Sequence, residues 1–250
     1  MDLLGAAALF FIGLLAGLIN TLAGGGSLLT LPALMAFGLP AVEANATNRV
    51  AVLLQSGAAG LRYRQAGALP AGLGGWLVVP LILGALLGAW LSVDLDEVLF
   101  RRIIGGVMVV MLLVILARPK RWIEGRDGPT PAYVAWLTPL VFFGLGVYGG
   151  FLQAGIGVFL LAGIVWATDK DLVRSNALKV LLVGAYTVPA LLFFTWFGLI
   201  AWGPGLVLGL GGVVGALLGA QSSLRFGAPF LRWVLVLVVA VSATKLLGLW

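Results

Sequence analysis

The chain has 250 residues, of which 62% are hydrophobic and only 10% charged, and its mean hydropathy is +1.14. A soluble domain carries about 25% charged residues, so this chain could not clothe itself in water, and its solvent must be lipid. With no Cys and no His it can form no disulfide, no Cys/His metal centre and no Ser-His or Cys-His catalytic pair, and no metal, cofactor or enzymatic activity is expected of it.

The charges are clustered as well as few. Residues 3–42, 65–93, 128–168 and 180–224 contain none. A spanning helix needs about 20 consecutive apolar residues, so each stretch holds one or two spans. In hydrocarbon the backbone must satisfy its own hydrogen bonds, which favours helices. A membrane barrel would show short alternating segments instead. The expected fold is therefore an all-α, multi-pass protein of the inner membrane. Its net charge of +6 sits in loops between spans, as orientation requires, and gives no reason to expect nucleic acid.

In chain order the hydrophobic segments are 3–22, 26–38, 46–61, 70–92 and 99–117, then 133–154, 157–168, 176–197, 203–222 and 229–249. No basic region precedes the first, so it reads as a permanent helix rather than a signal peptide. The second and seventh are too short for an ordinary crossing. The loop 118–132 holds Arg118, Lys120, Arg121 and Arg126 and divides the chain into repeats over 1–117 and 133–250. With Arg62, Arg64, Lys170, Arg174 and Arg225 it reads as cytoplasmic, while Asp94, Asp96 and Glu97 read as external. This pattern favours halves of opposite orientation, the inverted-repeat plan of many secondary transporters; if the two short segments do not cross, the halves are parallel instead.

Internal similarity supports two copies. GALLGA occurs at 84–89 and again at 215–220, an offset of 131 that also pairs Gly67 with Gly198. Gly13, Gly17 and Gly24 meet Gly146, Gly150 and Gly157 at offset 133, and Thr47-Asn48 meets Ser175-Asn176 at offset 128. The GALLGA glycines are read as helix-packing residues.

Chemistry is expected where the helices break. Gly24, Gly25 and Gly26 interrupt an apolar stretch, and each glycine disfavours a helix by about 1 kcal/mol relative to Ala. Gly155 and Gly157 stand at the matching place. Unwound backbone at membrane depth survives only inside protein or beside a watery cavity. There the first N–H groups of the next helix form an anion site in kind. Asn20, Thr21 and Gln153 beside the breaks can donate to an oxyanion. Thr47, Asn48, Ser175 and Asn176 open long spans, as caps or as cavity-facing groups. Arg49 and Lys179 lie just inside those spans, either as interfacial anchors or as the counter-charge of a bound anion. Tyr148 and Tyr186 are further hydroxyl donors.

The run GLLAGLINTLAGGGSLLTLPALMAFGLP, followed by ANATN (44–48), GALLGA and the looser second copy from Gly146, resembles the TauE/SafE family of sulfite and sulfonate permeases over essentially the whole chain. The resemblance implies alternating-access transport of a small sulfur-containing oxyanion. A channel, a carrier of another solute and a non-transporting scaffold are the alternatives. The expected partners are a small anion and the lipid bilayer; homodimer formation is left open.

Overall fold

A computed structural model describes residues 2–69, 75–116, 132–168 and 171–246. Lys170 and residues 118–131 of the expected linker lie outside them. Every regular element among the described residues is a helix: α1 (Leu3–Leu22), α2 (Ser27–Ala36), α3 (Ala41–Gln65), α4 (Gly75–Val93), α5 (Glu97–Leu116), α6 (Ala132–Phe151), α7 (Ile156–Ala167), α8 (Leu172–Trp196) and α9 (Trp202–Leu246). At Gly227 α9 leaves the helical conformation (φ 68°, ψ −161°), so it has two legs that answer to the last two expected segments.

Five described stretches are long and apolar enough to span: Leu3–Leu22, Trp76–Val93, Tyr133–Phe151, Leu172–Trp196 and Trp202–Gly227. Their outward faces carry Leu3, Phe11, Trp136, Leu192, Trp196 and Leu210, all more than half exposed. Such a surface is stable only in lipid. With 10 and 12 residues, α2 and α7 are about 15 and 18 Å long, roughly half the 30 Å hydrocarbon core. The most polar long helix, α3, is mostly buried. Asn45, Thr47, Asn48, Arg49 and Gln55 are all buried, because α3 packs between α8 and the first leg of α9.

The two halves exchange partners. Helix α1 packs along the first leg of α9, and α4 along α6, and these are the most extensive contacts among the described helices. Both pairs run parallel at backbone contact. Gly13 and Gly17 lie on Leu208 and Gly212, and Gly146 and Gly150 on Leu81 and Ala85, so a methyl at any of these four glycines would overlap the facing backbone. Without a hydrophobic drive between helices in lipid, such close small-residue packing is what binds them. At the centre α3 and α8 run antiparallel, with Ser56 beside Gly184 and Gly60 beside Leu181.

This packing corrects two sequence correspondences. Gly84 lies on Phe143 and Val147 as Gly211 lies on Phe10 and Leu14, while Gly215 takes the place of Gly88. The identical GALLGA strings are thus one helical turn out of register. A four-residue glycine period tolerates that slip, because small residues still fall on the contact. Likewise the cluster of Ala59, Tyr63, Ala177 and Ala216 is matched by that of Ala190, Phe194, Ala46 and Ala89. In that register Asn176 answers to Asn45 rather than to Asn48.

Candidate functional site

Both breaks are inside the protein. Residues 21–27 and 152–157 are buried throughout, so neither is a turn at the membrane surface. Gly24 (φ 86°) and Gly155 (φ 69°) occupy the left-handed region, which a side chain enters at about 1–2 kcal/mol. After Gly24 the chain doubles back, and Gly26 seats against Ala16 and Asn20 of α1. The two breaks meet: Gly24 touches Gly157 so closely that a methyl on either would overlap the other's backbone.

A broken helix leaves four carbonyls without intrahelical donors at its C-terminal end. In α6 all four are satisfied. Tyr148 O accepts from Leu152 N–H at 2.8 Å, Gly149 O and Gly150 O accept from the two terminal nitrogens of Arg49, and Phe151 O accepts from Asn45 Nδ2 at 2.9 Å. At the end of α1 the opposite half supplies the donors for Asn20 O and Thr21 O. Ile19 O accepts from the Ala23 and Gly24 N–H groups, Lys179 Nζ donates to Asn20 O and Thr21 O at 3.0 and 3.1 Å, and Asn176 Nδ2 donates to Thr21 O at 3.0 Å. In each half the third helix, α3 or α8, therefore supplies one carboxamide and one cation to the broken helix of the other.

These cations are fully desolvated: Arg49 is 0% and Lys179 1% exposed. Neither forms an ion pair among the described residues; the two that occur there are Arg101–Glu97 and Arg174–Asp171. Burying a charge is unfavourable by several kcal/mol per ion. Charged hydrogen bonds of about 1.5–3 kcal/mol each, together with the negative end of a helix dipole, offset this. Phe194 also lies 4.7 Å from the Arg49 guanidinium, ring face toward it. The following helices are left uncapped: Gly26 precedes α2 and Gly155 precedes α7 without a side-chain cap. Their positive ends remain unneutralised beside breaks whose negative ends are already bound.

A polar chain joins the two breaks. Thr30 Oγ1 donates to Asn48 Oδ1 at 2.6 Å, and Asn48 Nδ2 reaches Ser27 Oγ at 3.1 Å and Gln153 Oε1 at 3.4 Å. Gln153 Nε2 donates to Thr187 Oγ1 at 3.0 Å, and its backbone N–H to Asn45 Oδ1 at 3.3 Å. On the opposite side Asn20 Nδ2 donates to Gln55 Oε1 at 3.1 Å. There Asn20, Thr21, Gln55, Ser56, Lys179, Val180 and Val183 line a cavity of about 10 Å³, room for one water-sized sphere.

The structure thus gathers Asn20, Thr21, Gly24, Gly25, Gly26, Asn48, Arg49, Gln153, Gly155, Gly157, Asn176 and Lys179 around the crossing of the breaks. Thr47 lies apart, its hydroxyl accepting the Ala201 N–H at 3.0 Å. Ser175 is buried beside Asn176. Tyr148 is committed to Ala154 O, while the buried Tyr186 hydroxyl has no hydrogen-bond partner. Sequence reasoning missed Asn45, Gln55, Ser56, Tyr63 and Thr187. Asn45 could have been found, since the offset that pairs Gly67 with Gly198 also pairs it with Asn176.

The model of the family described as "Sulfite exporter TauE/SafE" matches residues 9–246. The chain is 30% identical over 246 residues to "Probable membrane transporter protein ORF9" of Sinorhizobium sp., covering 97% of this chain and 92% of the relative. It is 30% identical over 239 residues to "Probable membrane transporter protein YfcA" of Escherichia coli, covering 96% and 88%. A "Probable membrane transporter protein" of Haemophilus influenzae is 27% identical over 246 residues, covering 98% and 95%. No solved structure matches the chain. Paired buried breaks, a multi-pass helical fold and a family match across nearly all of its length place this chain in the TauE/SafE family of membrane transporters.

Proposed function

We propose that the chain carries a small sulfur oxyanion, sulfite or an organosulfonate, across the membrane by alternating access, with 1–117 and 133–250 acting as inverted repeats. The observation that carries this reading is the polar cavity beside Lys179. It joins a buried ammonium that has no carboxylate partner to the carboxamides of Asn20 and Gln55 and the hydroxyl of Ser56. An ammonium has three donors, and backbone carbonyls take two of them, so one remains for a ligand. The antiparallel run of α3 against α8 and the exchanged packing of α1 and α4 support the inversion.

At about 10 Å³ the cavity has room for little more than one water-sized sphere. A sulfur oxyanion is larger, so Gly24 and Gly157 must part to admit it, and that parting is the rocking step. The uncapped N-termini of α2 and α7 then face the space that opens. Arg49 is a structural cation in this scheme and Lys179 the ligand.

The test is thermal stabilisation of purified protein by sulfite, sulfate, thiosulfate, taurine and sulfoacetate, with uptake in proteoliposomes for any that bind. Lys179→Gln should abolish both responses while leaving the protein folded. Because the chain has no Cys, Ser56→Cys provides a clean probe: a small charged thiol reagent should modify it, and sulfite should slow that reaction. Equal stabilisation of the wild type and Lys179→Gln would refute the assignment.

A further inference from the structure

We infer that the anion site has an alkyl subsite, so that the preferred substrates are organic anions with an apolar tail. This rests on the reading of the polar cavity as the place of the anionic head. Beside that cavity lies a second, larger space of about 570 Å³, lined by Leu53, Ser56 and Gly57 of α3, Val78 and Val79 of α4, and Val180, Leu181, Gly184, Ala185 and Val188 of α8. Ser56 and Val180 line both spaces. The groove therefore begins at the polar cavity and runs along α8 from Val180 to Val188, about 12 Å at 1.5 Å per residue. Apart from Ser56 its lining offers no polar side chain. Its far wall is open to lipid, since Val79 and Val188 are 56% and 43% exposed.

The groove has a physical origin in the asymmetry of the halves. On the opposite side Gly205, Gly209 and Gly212 let α9 sit directly on Thr47, Val50, Ala51 and Gln55 of α3. Against α8 the corresponding helix, α4, presents Val78, Val79 and Ile82, and cannot approach as closely. Gly57 keeps the floor low, for a methyl built there meets nothing within 4 Å. A head group cannot occupy the groove, which has no charge to meet it. The nearest buried charge is the Lys179 ammonium, through Ser56 and Val180. An amphiphile with its sulfonate at Lys179 and its chain along α8 satisfies both environments at once.

Binding should be measured in lipid nanodiscs for methane-, butane- and octanesulfonate. Each buried methylene is expected to tighten binding by up to about fourfold, with octanesulfonate at least tenfold tighter than methanesulfonate. Gly57→Leu fills the groove without a clash and should erase the chain-length dependence while leaving methanesulfonate binding unchanged. Val188→Phe, at the lipid-facing end, should weaken octanesulfonate and spare butanesulfonate. Equal affinities across the series overturn the inference. So does a chain-length dependence that survives Gly57→Leu, which would mean simple partition into lipid. Native mass spectrometry showing one phospholipid retained by the wild type and lost in Gly57→Leu would assign the groove to a lipid instead. If methanesulfonate and sulfite both fail to bind, the cavity reading itself has failed; if they bind and chain length is immaterial, only the alkyl subsite has.

Discussion

The contact between the two breaks makes a sharp prediction through Gly157→Ala. The new methyl falls onto Gly24 Cα and its carbonyl. These are backbone atoms, and Gly24 is held at φ 86°, so no side chain can swing away. Overpacking of this kind destabilises by about 1–3 kcal/mol. Helix propensity returns at most about 1 kcal/mol, and Gly157 is in the first turn of α7, where that gain is least. The net destabilisation is about 1–2 kcal/mol, or roughly 2–8 °C in melting temperature for a chain of this size. Gly144→Ala is the matched control. It lies within α6, and a methyl there meets no atom within 4 Å, so propensity alone acts and the variant should be as stable as the wild type or up to about 1 kcal/mol more so. Differential scanning fluorimetry in one detergent compares the three proteins. If Gly157→Ala melts with Gly144→Ala, the breaks are not in contact, and the parting of Gly24 from Gly157 as the opening step is wrong.

Other outcomes follow from the helix-end accounting. Asn45→Ala strips both Phe151 O and Gln153 N–H of their partner and should destabilise by about 2–6 kcal/mol at 1–3 per buried orphan, seen as a lower melting temperature. Asn176→Ala should be milder by a clear margin, because Thr21 O keeps Lys179. Arg49→Gln cannot reach Gly149 O and Gly150 O together and should reduce folded yield in size-exclusion profiles, whereas Lys179→Gln should preserve yield and abolish anion stabilisation. Thr187→Val removes the partner of Gln153 Nε2 and should lower stability by about 1–3 kcal/mol, with no loss of single-Cys labelling at position 56.

Much of this was legible in the chain. Hydropathy set the spans because lipid leaves a helix no alternative, and α1 ends at the expected residue. The glycine triplet marked a break because three glycines in a row forfeit too much helix stability for the segment to continue. The partners of the break were harder to see. Asn45, Gln55 and Thr187 lie 34 to 106 residues away in sequence from the groups they bond, and their spacing within their own helices carries no sign of it. The one-turn slip of GALLGA shows a second limit. Identical strings imply equivalence only when their period is not itself compatible with sliding, and a glycine every four residues is compatible with it.

The sequence read Arg49 and Lys179 alike, as interfacial anchors or as counter-charges; the structure buries both and separates their contacts. Each closes the C-terminal end of a broken helix supplied by the other half. Arg49 does so with both terminal nitrogens while a phenylalanine ring covers its guanidinium. Its planar fork is matched to two successive carbonyls, a geometry that a point charge cannot reproduce. Lys179 offers three rotatable donors, spends two on carbonyls and borders the polar cavity. A spare donor does not separate the two, for the buried Arg49 Nε has no hydrogen-bond partner either. What separates them is the fork that Arg49 sets on two carbonyls and the polar space in front of Lys179. In the proposed scheme this asymmetry has a function: the half that receives Arg49 is braced, and the half that receives Lys179 is the one that binds the anion.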